Sequence, residues 1–256
     1  MQHLKIALVQ VDLIWQNVEQ NRLQFSKKIK SINETVDVIV LPEMFTTGFS
    51  MQPQEIAETM QGETVKWMQT LALEKKAAIV GSIIIFEDNN YYNRLLFVHP
   101  SGEINTYDKH HLFTLAGEDK IYTSGTKKLV VDYKGWKICP LICYDLRFPV
   151  WSRNMENYDV LLYVANWPKA RIEAWDTLLK ARAIENMTYT IGVNRVGVDG
   201  NNLAYNGHSS VYNCLGEKQT KTISDEETVI ITLNKNHISD TRSKLNFLAD
   251  KDSFTL

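Results

Sequence analysis

Apolar residues recur along this chain in two periods, and at first the two periods alternate. Leu4 to Val11 is a nearly unbroken apolar run of strand length. Val18, Phe25, Ile29 and Ile32 then fall on one helical face. Val36 to Leu41 predicts a second strand, stopped by Pro42. Val65, Met68 and Ala72 mark a second amphipathic helix, and Ala77 to Phe86 reads as a strand again. After that, strands dominate. Residues 91–99 pair with 103–109 across Pro100-Ser101-Gly102, and 129–133 with 136–142 across Lys134-Gly135. Pro140 has no N–H to give a sheet ladder, which predicts an edge or a bulge there. Asp159 to Ala165 is a buried strand. Pro168 opens a helix that carries Ile172, Trp175, Leu179 and Ala183 on one face. Tyr189–Val196, Ser209–Tyr212 and Thr228–Leu233 complete the strands, and the polar stretch from Asn236 to Leu256 reads as an extended tail.

This order predicts an α/β layered protein with large sheets covered by helices. No Gly/Ser/Pro-rich linker, repeat or low-complexity segment interrupts it. Residues 1–256 are therefore expected to form one domain, with the tail beginning at about 236.

Composition narrows the function classes. At 44% apolar, 23% charged and a net charge of -2, the chain can bury a large core but carries no electrostatic footprint for nucleic acid or an anionic membrane. No apolar run reaches the ~18–20 residues of a membrane span. Met1 to Gln10 has no basic segment leading into a long apolar stretch, so a signal peptide is not expected. Three cysteines, at 139, 143 and 214, are too few and odd in number for a disulfide framework. A reducing, cytoplasmic setting is the expectation.

Candidate chemistry sits where apolar runs end. Lys137 to Ile142 stops on Cys143, and the polar turn Tyr144-Asp145-Leu146-Arg147 follows. A thiol at a strand end faces a cleft while the sheet holds it rigid, but it needs a proton acceptor and a charge for the oxyanion made on attack. Glu43, after Leu41-Pro42, supplies the first. A carboxylate beside an apolar strand end is partly desolvated and becomes a better proton carrier. Lys109, in Tyr107-Asp108-Lys109-His110-His111, supplies the second as a point charge. Cys139 and Cys214 read as small buried hydrophobes. Arg182 and Glu185, three apart on a helix, read as an ordinary ion pair. Asp145 and Arg147 read as braces of the turn after Cys143.

Leu-Pro-Glu at 41–43, Tyr-Asp-Lys-His-His-Leu-Phe at 107–113 and Ile-Cys-Tyr-Asp-Leu-Arg-Phe-Pro at 142–149 resemble, in order and spacing, the three signatures of the nitrilase superfamily, the carbon–nitrogen hydrolases. Further pieces agree: Ala165-Asn166-Trp167-Pro168, Arg182 to Asn186, Asn194 to Gly197 and Gly207 to Ser210. The resemblance runs from the first strand to about residue 233. It implies a four-layer α-β-β-α sandwich, dimers stacked through helical faces, and no metal or organic cofactor. It also implies Cys143 as nucleophile, Glu43 as general base, Lys109 as cationic stabiliser and Glu118 as a second glutamate, with Asp119 its near competitor.

Cys-Tyr-Asp at 143–145, where nitrile-hydrolysing members carry Cys-Trp-Glu, favours an amide substrate. Glu43 to Phe49, Phe113 to Glu118, and Asn166-Trp167-Pro168 with Arg171 resemble the bacterial omega-amidase branch, which hydrolyses the terminal amide of 2-oxo acids. Arg171 is then the candidate for the substrate carboxylate. The backbone N–H of Tyr144 is a candidate oxyanion donor, and Asn166 a further site residue. Phe45, Phe113 and Trp167 are candidate walls. The partner expected is a small-molecule amide, with a homodimer or larger assembly. A carbamoylase or aliphatic amidase is the nearest alternative. A Cys–His hydrolase using His110, His111 or His208, and a non-enzymatic small-acid-binding or scaffold protein on the same fold, are more distant ones.

Overall fold

The computed structural model describes residues 2–254. The strands are β1 (His3–Gln10), β2 (Val38–Val40), β3 (Ala78–Glu87), β4 (Asn90–Val98), β5 (Ile104–Asp108), β6 (Val131–Tyr133), β7 (Trp136–Ile142), β8 (Val160–Val164), β9 (Tyr189–Val193), β10 (Val196–Val198), β11 (Ala204–Asn206), β12 (Ser210–Tyr212) and β13 (Glu227–Asn234). The helices are α1 (Val18–Lys30), α2 (Glu63–Lys75), α3 (Ile172–Asn186) and α4 (Lys235–Leu245).

Two sheets form. The first has the order β13-β1-β2-β3-β4-β5 and the second β12-β9-β8-β7-β6, while β10 and β11 make a separate ribbon. In the first sheet β1, β2 and β3 run parallel. In the second, β7, β8 and β9 do. Each parallel set is buried on both faces, which explains the near-continuous apolar runs that encode it.

Alternation within the strands builds four layers. Leu4, Ile6, Leu8, Val38, Val40, Ala78 and Val80 point inward and meet Ile138, Ile142, Val160 and Leu162 of the facing sheet in one core. Ala7, Val9, Ile39 and Ile79 point the other way and pack under Phe25 and Ile29 of α1 and Met68 and Ala72 of α2. On the far side α3 lays Trp175, Leu179 and Ala183 on the second sheet. The layers are therefore α-β-β-α. The approach of α3 depends on Gly192 in β9, where a Cβ would lie 2.5 Å from both Leu179 and Trp175.

Pro140 lies where β6 has already ended, since the last β6–β7 pair is Val131 with Ile138. The edge expected there is present. The expected tail is not extended over its first half. Residues from Lys235 to Leu245 form α4, with Asn234 capping it and Ile238 and Thr241 buried. Arg242 of α4 donates to the carbonyls of Met187 and Tyr158 at 2.9 and 2.7 Å. Two inward residues and a cation on the second sheet's loops dock this helix, too few to show as a stripe in a polar segment.

Candidate active site

Strand direction decides which ends meet. β4 is antiparallel to β3, and β5 antiparallel to β4, so β5 ends on the same edge as β2. Glu43 follows β2 and Lys109 follows β5 on that edge. The second sheet presents the carboxyl ends of its parallel strands opposite: Cys143 after β7, Asn166 after β8 and Asn194 after β9. Clefts at the carboxyl ends of parallel strands are where α/β proteins hold ligands.

The structure brings the expected polar groups together. Lys109 is 1% exposed, and Glu43 and Glu118 are fully buried. Lys109 Nζ donates to Glu43 Oε1 at 3.0 Å and to Glu118 Oε2 at 2.9 Å. Glu43 Oε2 accepts from the Asn166 N–H at 2.8 Å, and Glu118 Oε2 from the Phe113 N–H at 2.6 Å. Buried charges persist only when paired and hydrogen-bonded in this way. Asp119 lies exposed on the surface, so the acidic partner of Lys109 is Glu118.

Two carboxylates share one ammonium. Burial alone depresses the Lys109 ammonium, but Glu118 and Glu43 outweigh it and hold it well above the usual lysine range. Burial pushes the Glu118 carboxyl up; Lys109 opposes that and Glu43 reinforces it. Burial also pushes the Cys143 thiol far up, the nearby Glu43 carboxylate adds to it, and Lys109 opposes it. Both effects favour the protonated thiol, whose Sγ lies 4.0 Å from the Asn166 carbonyl oxygen.

Cys143 is held at φ 43°, a left-handed conformation uncommon for a residue with a side chain, and one that stores local strain. The turn is fixed by Asp145, which accepts from the Ile142 N–H at 3.1 Å, the Tyr107 hydroxyl at 2.7 Å and the His111 N–H at 3.0 Å. Asp145 thus ties the lysine loop to the thiol turn. Arg182 is more than half of an ion pair. It meets Glu185 at 2.8 Å, and its other arm donates to the Leu146 carbonyl at 2.6 Å, which braces the same turn.

Cys143 opens into a cavity of about 560 Å³. Glu43, Lys109, Phe113, Tyr144, Asn166, Trp167 and Arg171 all line it, as expected from sequence. Two expectations fail. Phe45 is wholly buried in the core beneath α1 and α2, because the turn after Glu43 points it into the first sheet's helical layer. Arg147 does not brace the turn. It is exposed, lines the cavity, and lies 5.0 Å over the Trp167 ring. None of the three histidines lines the cavity: His110 bonds the Gly125 carbonyl, His111 bonds Asp145 and His208 bonds Asp176. A Cys–His arrangement is thereby excluded.

Sequence reasoning missed two contributors. Asn93 of β4, fully buried, donates through Nδ2 to Glu43 Oε1 at 2.8 Å and approaches Glu118 Oε1 at 3.4 Å. Phe49 sets its ring 5.0 Å from Lys109 Nζ. A thiol at the cavity wall and a buried lysine with its glutamate pair are thus held between two facing sheets. The chain belongs to the carbon-nitrogen hydrolase family, whose model matches residues 5–243. It is 48% identical over 86% of its length to omega-amidase YafV of Yersinia enterocolitica, 86% of which is covered. It is 43% identical to omega-amidase YafV of Escherichia coli (strain K12) over all of both chains. It is also similar to the solved structure of XC1258 from Xanthomonas campestris, a CN-hydrolase superfamily protein with an arsenic adduct in its active site. There the TM-score is 0.98 and the identity 42% over all of both chains.

Proposed function

We propose that this protein hydrolyses a small carboxamide to carboxylate and ammonia through an acyl-thioester on Cys143, and that its substrate is the ω-amide of a 2-oxo acid such as 2-oxoglutaramate or 2-oxosuccinamate. The observation that carries the reading is the Lys109 ammonium shared between Glu43 and Glu118 at the mouth of an open thiol. The likeness to two omega-amidases supports the choice of amide.

Because the thiol rests protonated, Glu43 takes its proton as the sulfur attacks the amide carbonyl. The new C–S bond leaves a tetrahedral oxyanion, which Lys109 and the Tyr144 N–H stabilise. Collapse breaks the C–N bond, and Glu43 returns the proton to the departing ammonia. Glu43 next takes a proton from water, the hydroxide attacks the thioester, and the sulfur leaves to regain its proton. Glu118 keeps Lys109 in position throughout. Arg171, its guanidinium 5.2 Å over the Phe113 ring, receives the substrate carboxylate. Phe113 and Trp167 wall the acyl chain, and Asn166 fixes Glu43 from below.

We read the chain as one domain, since the thiol comes from one sheet and its lysine and carboxylates from the other. Its three free cysteines fit a reducing cytoplasm. Exposed Ile184 on α3 fits a homodimer or larger assembly through helical faces.

Ammonia release from 2-oxoglutaramate, 2-oxosuccinamate, glutamine, asparagine, a carbamoyl amino acid and a nitrile tests the reading. The 2-oxo acid amides are expected to lead by at least tenfold. Equal or better activity on the carbamoyl compound or the nitrile rejects it in favour of a carbamoylase or a nitrilase.

A further inference from the structure

The cavity has a polarity along its length. Glu43 and Lys109 line one part of it, with Glu118 paired to Lys109 behind the wall. Two arginines, Arg147 and Arg171, also line it. Arg94, Arg182 and Arg195 each have a carboxylate partner, whereas Arg147 and Arg171 have none among the described residues. Each of the two lies over an aromatic ring instead, Arg147 at 5.0 Å from the Trp167 centroid and Arg171 at 5.2 Å from that of Phe113. Such stacking holds a guanidinium in place and leaves its N–H groups free for a ligand.

Both cations are tied to Trp167. Its indole N–H donates to the Arg171 carbonyl at 2.8 Å, and its backbone N–H to Asn194 Oδ1 at 2.8 Å. The ring is 3% exposed, so it forms a fixed platform. Arg147 stands four residues after Cys143, on the turn that Asp145 and Arg182 hold rigid. Among the described residues the acids lining the cavity are Glu43 and Asp199. The Asp199 carboxylate is occupied: it accepts from the Asn201 and Leu203 N–H groups at 2.8 and 3.0 Å and from the Tyr205 hydroxyl at 2.9 Å.

We propose that Arg147 is a specificity-determining residue: with Arg171 it forms a two-guanidinium clamp on the 2-oxo-carboxylate end of the substrate, and by doing so it selects 2-oxo acid amides against 2-amino acid amides. This rests on the ω-amidase reading above. A 2-oxo-carboxylate offers only acceptor oxygens, three of them in a plane, to two donor forks. Glutamine and asparagine present the same carboxylate beside a 2-ammonium. That ammonium meets a second cation at Arg147 and finds no free acid to receive it, a penalty aimed at the wrong ligand. The opposite polarity of the part lined by Glu43 directs the amide end inward to Cys143.

The test is the ratio of kcat/KM for 2-oxoglutaramate to that for glutamine, measured in the wild type, Arg147→Met and Arg147→Lys. Arg147→Met is expected to lose ~10- to 100-fold on 2-oxoglutaramate, the scale of one lost charge-assisted contact, mainly through KM. Glutamine loses far less, so the ratio falls by at least about tenfold. Arg147→Lys keeps the charge without the fork and falls between. A brace on the turn would lower both substrates alike, so an unchanged ratio in Arg147→Met overturns the clamp while leaving the ω-amidase reading intact. A wild-type enzyme that ignores 2-oxoglutaramate but hydrolyses another amide overturns both.

Discussion

Asn93 Nδ2 donates to Glu43 Oε1 at 2.8 Å, the same oxygen that accepts from Lys109, so this carboxylate oxygen is held by two donors at once. With the Asn166 N–H on the other oxygen, Glu43 is fixed in plane and rotation. In the role proposed for Glu43, a general base must keep its geometry through two half-reactions, and Asn93 supplies part of that constraint. Replacing Asn93 by Ala is expected to reduce kcat by ~10- to 100-fold, the value of one buried bond to a charged acceptor, with KM little changed. Steady-state kinetics beside a thermal melt check it. A change in KM alone would assign Asn93 to binding instead.

Glu43→Gln makes two predictions of opposite sign. Turnover falls by ~100- to 10,000-fold, since the proton acceptor is lost. The thiol becomes more reactive toward iodoacetamide near neutral pH. Burial raises the Cys143 thiol and the Glu43 charge raises it further, so removing that charge lowers it and increases the thiolate fraction at any given pH. The pH profile of labelling should shift to lower pH in Glu43→Gln. A shift to higher pH would mean that Glu43 assists ionisation at rest, contrary to the electrostatics.

Glu118 and Asp119 are neighbours with different surroundings. Glu118 holds both Lys109 and the Phe113 N–H, whereas Asp119 is exposed. Glu118→Gln is expected to cost ~10- to 100-fold in kcat/KM through a misplaced lysine and a loosened cavity wall. Asp119→Asn should stay within about twofold of wild type. Ammonia-release assays on both variants decide it.

Gly192→Ala tests the layer packing. The added methyl meets Leu179 and Trp175 at 2.5 Å, with helix on one side and sheet on the other. Overpacking of this kind costs roughly 1–3 kcal/mol. A denaturant melt should show that loss, and an unchanged midpoint would mean that α3 shifts freely.

Much of this site was legible because its polar groups close apolar strands. Cys143 and Glu43 follow apolar runs that read as buried strands, Lys109 closes the second strand of a predicted hairpin, and the direction of those strands made their ends coincide. Asn93 gave no such signal. It sits inside β4, where one more polar residue looks like alternation, and its value appears only because β4 runs against β3 and brings it back to the catalytic edge. Phe45 and Phe49 are indistinguishable in composition; the turn after Glu43 sends one into the core and leaves the other beside Lys109. Arg147 looked like a brace because its neighbours Asp145 and Leu146 take part in bracing the turn, the first by its side chain and the second by its carbonyl. The helix α4 was hidden because only Ile238 and Thr241 of its eleven residues are buried.

The central claim is covalent catalysis at Cys143, and intact-mass spectrometry of protein quenched during turnover of 2-oxoglutaramate tests it most directly. The prediction is an added acyl mass, mapped by peptide digestion to Cys143, that decays once substrate is exhausted and is missing in Cys143→Ala together with ammonia release. Undiminished ammonia release by Cys143→Ala, or an acyl group mapped to Cys139 or Cys214, would contradict it.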